Sequence, residues 1–115
     1  MLSSLALLTG CASKSLYQWA GYEDQLYASY KDPTKAEAMR NRLDTHIQQT
    51  RQSGAKVAPG LYAELGTLYL QAGQRRQAIS YYEQERQSWP ESRQLMTALI
   101  QNLERLEQQA QGAKQ

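Results

Sequence analysis

Eight positions between Tyr62 and Pro90 constrain this chain more than any others. In the stretch PGLYAELGTLYLQAGQRRQAISYYEQERQSWPE, which runs from Pro59 to Glu91, they are Tyr62, Leu65, Gly66, Tyr69, Gly73, Ala78, Tyr82 and Pro90. Each has a steric task. Ala63 and Gly66 are small enough for a second helix to come close to the first, and Ala78 is the matching small residue on that second helix. Tyr82 fills the space beside Ala78. Gly73 supplies the left-handed residue that ends the first helix. Pro90 cannot extend the second helix and stops it.

The spacing resembles a tetratricopeptide repeat, a helix–turn–helix unit of about 34 residues. One position departs from that pattern: Glu85 stands near the end of the second helix, where the repeat carries a small residue. On this basis residues 59–92 are one clear repeat, and the expected fold is all-α.

The flanking segments extend the same plan. Leu16, Trp19, Tyr22, Leu26 and Tyr30 recur at helical spacing, and the helix they imply is firmest from Tyr22 to Lys31. Asp32 followed by Pro33 reads as an N-cap and first turn, opening a helix from Pro33 to Gln52. Ala36, Met39, Leu43, Ile47 and Thr50 form its inner face, and Lys35, Glu37, Arg40, Arg42, Asp44 and Arg51 its solvated one. Gly54 ends it. A last helix, Glu91 to Gln109, carries Leu95, Leu99, Leu103, Leu106 and Ala110 as a stripe, widened by Met96 and Ile100. The architecture expected is two antiparallel helical hairpins with a C-terminal capping helix, over residues 16–111. Residues 112–115 read as a frayed tail.

The opening residues tell a different story. Leu2, Leu5, Leu7 and Leu8 make a short apolar run that ends in Leu8-Thr9-Gly10-Cys11. This resembles the lipobox of bacterial lipoproteins, with residues 1–10 as a shortened signal segment. Small side chains beside the scissile bond admit the peptidase, and the Cys11 thiol takes the diacylglyceryl group. Cys11 is the only cysteine, so it has no disulfide partner within the chain. The apolar run is too short to span a bilayer. Ala12 in place of Asp implies, by the same resemblance, an outer-membrane anchor facing the periplasm. Residues 12–15 extend at most about 14 Å, so the helical domain is expected to lie close to the lipid. Trp19 and its neighbouring tyrosines are then either core residues or headgroup contacts.

Composition removes several function classes. A net charge of +2, with Lys and Arg interspersed among acids, gives no basic stripe for nucleic acid. The single histidine, His46, has no second ligand at metal spacing. The glycines stand singly, which excludes a phosphate-binding loop, and no nucleophile has a base beside it. No catalytic residue, metal or cofactor is expected.

Taken together, Leu8-Thr9-Gly10-Cys11, Leu16-Tyr17-Gln18-Trp19, Tyr22, Leu26-Tyr27, Tyr30-Lys31-Asp32-Pro33, Pro59 to Glu64 and Trp89-Pro90-Glu91-Ser92 resemble one family. It is a group of small bacterial lipoproteins with a repeat-like helical domain, often encoded beside a lipoprotein similar to the curli secretion channel. The resemblance implies a multi-lipoprotein envelope assembly and establishes no site residue. The expected function is a lipid-anchored, non-enzymatic scaffold that binds an envelope protein in its concave groove. Tyr27, Tyr30, Gly60, Ala63, Glu64, Thr67, Leu70 and Gln71 are the candidate groove residues. Such a face lacks the Lys and Asn needed to clamp a C-terminal carboxylate and suits an apolar helix or extended segment. Two hairpins fall short of the roughly three repeats that usually suffice for stability, which points to a partner or to self-association. The alternatives are a regulator of a peptidoglycan synthase, or an intracellular adaptor in which Cys11 stays unmodified.

Overall fold

A computed structural model describes residues 28–113. All of their regular secondary structure is helical, with no strand among the described residues. A helical turn at residues 28–31 leads into α1 (Pro33–Gln52). Then follow α2 (Leu61–Gln71), α3 (Arg75–Ser88), a 3-10 turn at Pro90–Ser92, and α4 (Arg93–Gly112). The candidate anchor Cys11, and Trp19, Tyr22, Leu26 and Tyr27, lie outside the described residues.

Local chemistry sets the boundaries. Asp32 caps α1, its Oδ1 accepting the Thr34 amide at 3.0 Å and the Thr34 hydroxyl at 2.7 Å. These bonds, the hydroxyl's above all, hold the Asp32 carboxyl below the usual aspartate range. Gly54 ends α1 with φ +78° and Gly73 ends α2 with φ +79°. Both angles lie in the left-handed region, which glycine enters at least cost. Helix α3 stops at Ser88, Trp89 is extended, and Pro90 opens the 3-10 turn.

Two apolar layers hold the helices together. Met39, Leu43 and Ile47 of α1 meet Leu61, Tyr62, Leu65 and Leu68 of α2, with Tyr81 of α3 closing the layer. Leu43, Ile47, Leu61 and Leu65 are wholly buried, each stabilising the fold by about 1.5–3 kcal/mol relative to an exposed position. On the other side, Ala78 and Tyr82 of α3 meet Met96, Ile100 and Leu103 of α4, with Ala63, Leu70 and Leu99 at the margin. Glu107 ties the far end of α4 to the start of α3, 3.1 Å from Arg75 and 3.5 Å from Arg76.

The hairpin α2–α3 shows why its small residues are needed. A Cβ added to Gly66 would sit 2.8 Å from Tyr82 Cε1, 2.9 Å from Cδ1 and 3.2 Å from the Ala78 carbonyl oxygen. The Cδ1–Cε1 side of the tyrosine ring packs against the bare backbone of α2 at Gly66, and Ala78 is wholly buried.

Two expectations change, and one departure from the repeat pattern finds its place. Helix α4 presents Met96, Ile100 and Leu103 inward, so the row of Leu95, Leu99, Leu103 and Leu106 is turned by a fraction of a turn. Leu95 is left 61% exposed and Leu106 37%. The face of α1 expected to be solvated is partly engaged. Arg40 lies over the Tyr69 ring at 5.3 Å, Asp44 accepts the Tyr81 hydroxyl at 3.3 Å, and Arg51 donates to Gln84 at 3.3 Å. Helix α1 therefore meets α2 and α3 along an apolar seam with a polar border. Glu85, the residue that breaks the repeat pattern, is completely buried.

Candidate functional site

The first helix of each pair faces the groove in a stack of helical hairpins, so the candidate site is built on α2 between residues 28–31 and α4. Glu64 leads on the side toward residue 30. Its Oε2 accepts the Tyr30 hydroxyl, joining two segments far apart in sequence. Partial burial, then the bond to the Glu64 carboxylate, push the Tyr30 phenol far above its ordinary range. The hydroxyl stays neutral and remains a donor at any physiological pH.

One turn further along α2, Thr67 Oγ1 and the Tyr82 hydroxyl share a hydrogen bond of 2.8 Å. Thr67 also donates to the Ala63 carbonyl at 3.0 Å. Tyr82 therefore crosses beneath α2 at Gly66 and delivers its polar tip to the neighbourhood of Thr67. Gln71 continues this polar edge. With Tyr30, Pro33, Arg40 and Leu68 it lines a cleft of about 370 Å³ between the start of α1 and the end of α2.

Helix α4 supplies the second wall. Arg86 of α3 lies 3.3 Å from Thr97, which marks the flank of α4 turned toward α3. At 100° per residue, Leu95, Leu99 and Leu106 stand on the opposite flank. Leu99 packs on the layer that contains Ala63 and Leu70 of α2. Leu99 thus shares a layer with Ala63 and Leu70, and Leu95 and Leu106 stand exposed on the same flank of α4 as Leu99.

The candidate groove residues are distributed as follows. Tyr30 and Glu64 are bonded, and Tyr30 and Gln71 share a cleft. Thr67 is tied to Tyr82. Ala63 and Leu70 are half-buried against the α3–α4 layer, forming floor and not free wall. Gly60 takes no part in the groove: it caps α2 in a left-handed conformation, φ +88°, and donates its amide to Glu85. Tyr27 lies outside the described residues. Sequence reasoning missed the contributions of Tyr82 and of Leu95, Leu99 and Leu106. The pattern that placed Tyr82 in the core gave no sign that its hydroxyl emerges. The leucine row was visible but assigned wholly to packing.

Among the described residues no three His, Cys, Asp or Glu side chains are grouped so as to hold a metal ion, and no helix is long and apolar enough to cross a membrane. Over residues 16–99 the chain matches a family described as a domain of unknown function, DUF4810. The chain belongs to the DUF4810 family. The match ends at Leu99, within α4, so the DUF4810 domain takes in α1 to α3 and the first part of the closing helix. No curated protein and no solved structure matches the chain.

Proposed function

We propose that this DUF4810 chain is a non-enzymatic, lipid-anchored lipoprotein of the bacterial outer membrane. In this reading it faces the periplasm and binds a segment of another envelope protein along α2 and α4. The observation that carries the reading is the row Leu95, Leu99 and Leu106 on one flank of α4, with Leu95 and Leu106 exposed and Leu99 half-buried, in a domain whose α2 offers a hydrogen-bonding edge of Glu64, Thr67 and Gln71. A single exposed leucine is ordinary on a protein surface, but a row along one helix flank together with a polar edge is the arrangement that receives an amphipathic segment. The hairpin α2–α3 serves as a tetratricopeptide-like unit: the Gly66–Tyr82 contact makes it rigid, and a rigid frame lowers the cost of binding. The short stretch between Cys11 and residue 16 keeps the domain near the lipid, within reach of another outer-membrane lipoprotein, including one similar to the curli secretion channel.

Two measurements test the two halves of this reading. Mass spectrometry of the membrane-extracted protein is expected to find Cys11 acylated, and an unmodified thiol refutes the anchor. For the groove, a photo-crosslinking residue at position 106 in cells is expected to trap one envelope protein. Leu95→Glu with Thr67→Arg is expected to abolish that capture while leaving the helical circular dichroism unchanged. Capture undiminished by those substitutions refutes the groove.

A further inference from the structure

We propose that Glu85 is a proton-operated latch at the joint between α1 and the α2–α3 hairpin, closed when its carboxyl is protonated and loosened when it ionises. Two side chains four residues apart, Glu85 on α3 and Trp89 just past its end, hold the connector between α1 and α2. Glu85 Oε1 accepts the Gly60 amide, and Trp89 Nε1 donates to the Val57 carbonyl at 3.1 Å. Lys56 lies 3.9 Å above the centre of the same indole. Both anchoring side chains are buried, Glu85 completely. The Tyr30–Glu64 bond crosses between the same two halves of the domain elsewhere.

The second carboxyl oxygen gives the latch its sensitivity. Oε2 of Glu85 is buried and has no hydrogen-bond partner among the described residues. The charged and titratable groups around it come from every neighbouring element. From α1, Arg51 is 3.3 Å from Gln84, and its charge acts on the Tyr62 phenol. From the connector, Lys56 is stacked on Trp89. From α2 comes the neutral Tyr62 phenol, and from the 3-10 turn Glu91, which carries the same charge as an ionised Glu85. Neither cation is within ion-pair distance of the carboxyl. An anion here would be a buried charge with one neutral amide for compensation, and burying an unpaired charge is strongly unfavourable.

Burial therefore pushes the Glu85 carboxyl above the ordinary glutamate range, and Glu91 adds to this; the Gly60 amide pulls the other way without cancelling it. A carboxyl whose folded pKa is raised binds its proton more tightly in the native state. Its contribution to stability is complete below the unfolded glutamate value and is lost as pH rises through the folded value. Acid closes the joint, and the approach to neutrality loosens it. The small residue that the repeat pattern carries at this position has no such response.

The test compares the full chain with Glu85→Gln in urea unfolding between pH 4.5 and 8.5. The amide keeps an acceptor for Gly60 and cannot ionise. The unfolding constant of the parent chain is expected to rise relative to the variant by up to about tenfold per pH unit through the titration window. A ratio that stays constant over the whole range overturns the proposal. Should the variant fail to fold, carbon-13 NMR of the parent chain reads the Glu85 carboxyl directly. Titration above the ordinary glutamate range supports the latch, and titration at or below it overturns it. Hydrogen exchange at Gly60, corrected for the intrinsic rate, is the local readout. Its protection is expected to fall with rising pH, and unchanged protection counts against the mechanism.

Discussion

Substituting Gly66 by alanine pits two effects against each other, and the structure decides the sign. A glycine inside a helix costs about 1 kcal/mol relative to alanine, so Gly66→Ala on an open helix face would stabilise. Here the new methyl meets Tyr82 Cε1 at 2.8 Å and the Ala78 carbonyl oxygen at 3.2 Å. Neither neighbour yields easily. The tyrosine is 2% exposed, its hydroxyl is bonded to Thr67, and the carbonyl belongs to the α3 backbone. Forcing a methyl group into a packed core costs about 1–3 kcal/mol, and losing the Thr67–Tyr82 bond adds about 1 kcal/mol. After the gain in helix propensity, a net destabilisation of about 1–3 kcal/mol is expected. Urea denaturation followed by circular dichroism measures it. The decisive control is the same substitution in a Tyr82→Leu background, where the ring is gone. There Gly66→Ala is expected to become neutral or stabilising, giving a coupling of roughly 1–3 kcal/mol between the two sites. A neutral or stabilising Gly66→Ala in the parent chain, or equal effects in both backgrounds, refutes the argument that close approach of α3 requires this glycine.

Other outcomes follow from the same contacts. Trp89→Phe keeps most of the buried ring but leaves the Val57 carbonyl without its donor, and is expected to cost about 1–3 kcal/mol in urea unfolding. Burial and then the Asp44 charge push the Tyr81 phenol up to about 12. Its contribution is therefore intact below pH 10 and lost as pH rises toward 12, so Tyr81→Phe is expected to flatten the alkaline fall in stability. Asp32 titrates below the usual range, and its capping contribution is present above the unfolded aspartate value and lost as pH falls through the folded one. Asp32→Ala is expected to lower the thermal midpoint at pH 7, and Asp32→Asn to restore most of it without the acid response. Tyr30→Phe is expected to remove a phenol that resists ionisation far above the ordinary range from the ultraviolet titration of the tyrosines, identifying the partner of Glu64.

Much of the fold was legible because local stereochemistry and periodic burial leave marks in a linear sequence. Asp32-Pro33 announced the start of α1, Gly54 and Gly73 the ends of α1 and α2, and Pro90 the stop after α3. In each case a residue's own backbone preference acts within a few positions of itself. Gly66, Ala78 and Tyr82 were likewise readable, since a close crossing of two helices in one hairpin constrains residues at fixed spacing.

The sequence by itself determined where α1 begins and ends, where α2 and α3 stop, and which hairpin is tightest. The last helix, expected from Glu91 to Gln109, runs instead from Arg93 to Gly112 behind a 3-10 turn. Only the tertiary structure decided how α4 rolls on its neighbours, and hence that Leu95 and Leu106 face outward while Met96 and Ile100 pack. A stripe of seven apolar side chains is wider than the layer that receives it, so packing selects its buried edge. Tertiary placement also decided that Arg40 and Asp44 reach Tyr69 and Tyr81, contacts that depend on distance across helices and not along one. The same holds for Glu85. A glutamate in place of a small residue read as a departure from pattern, and only the arrival of Gly60 beside it, from 25 residues earlier in the chain, gives the buried carboxyl its partner.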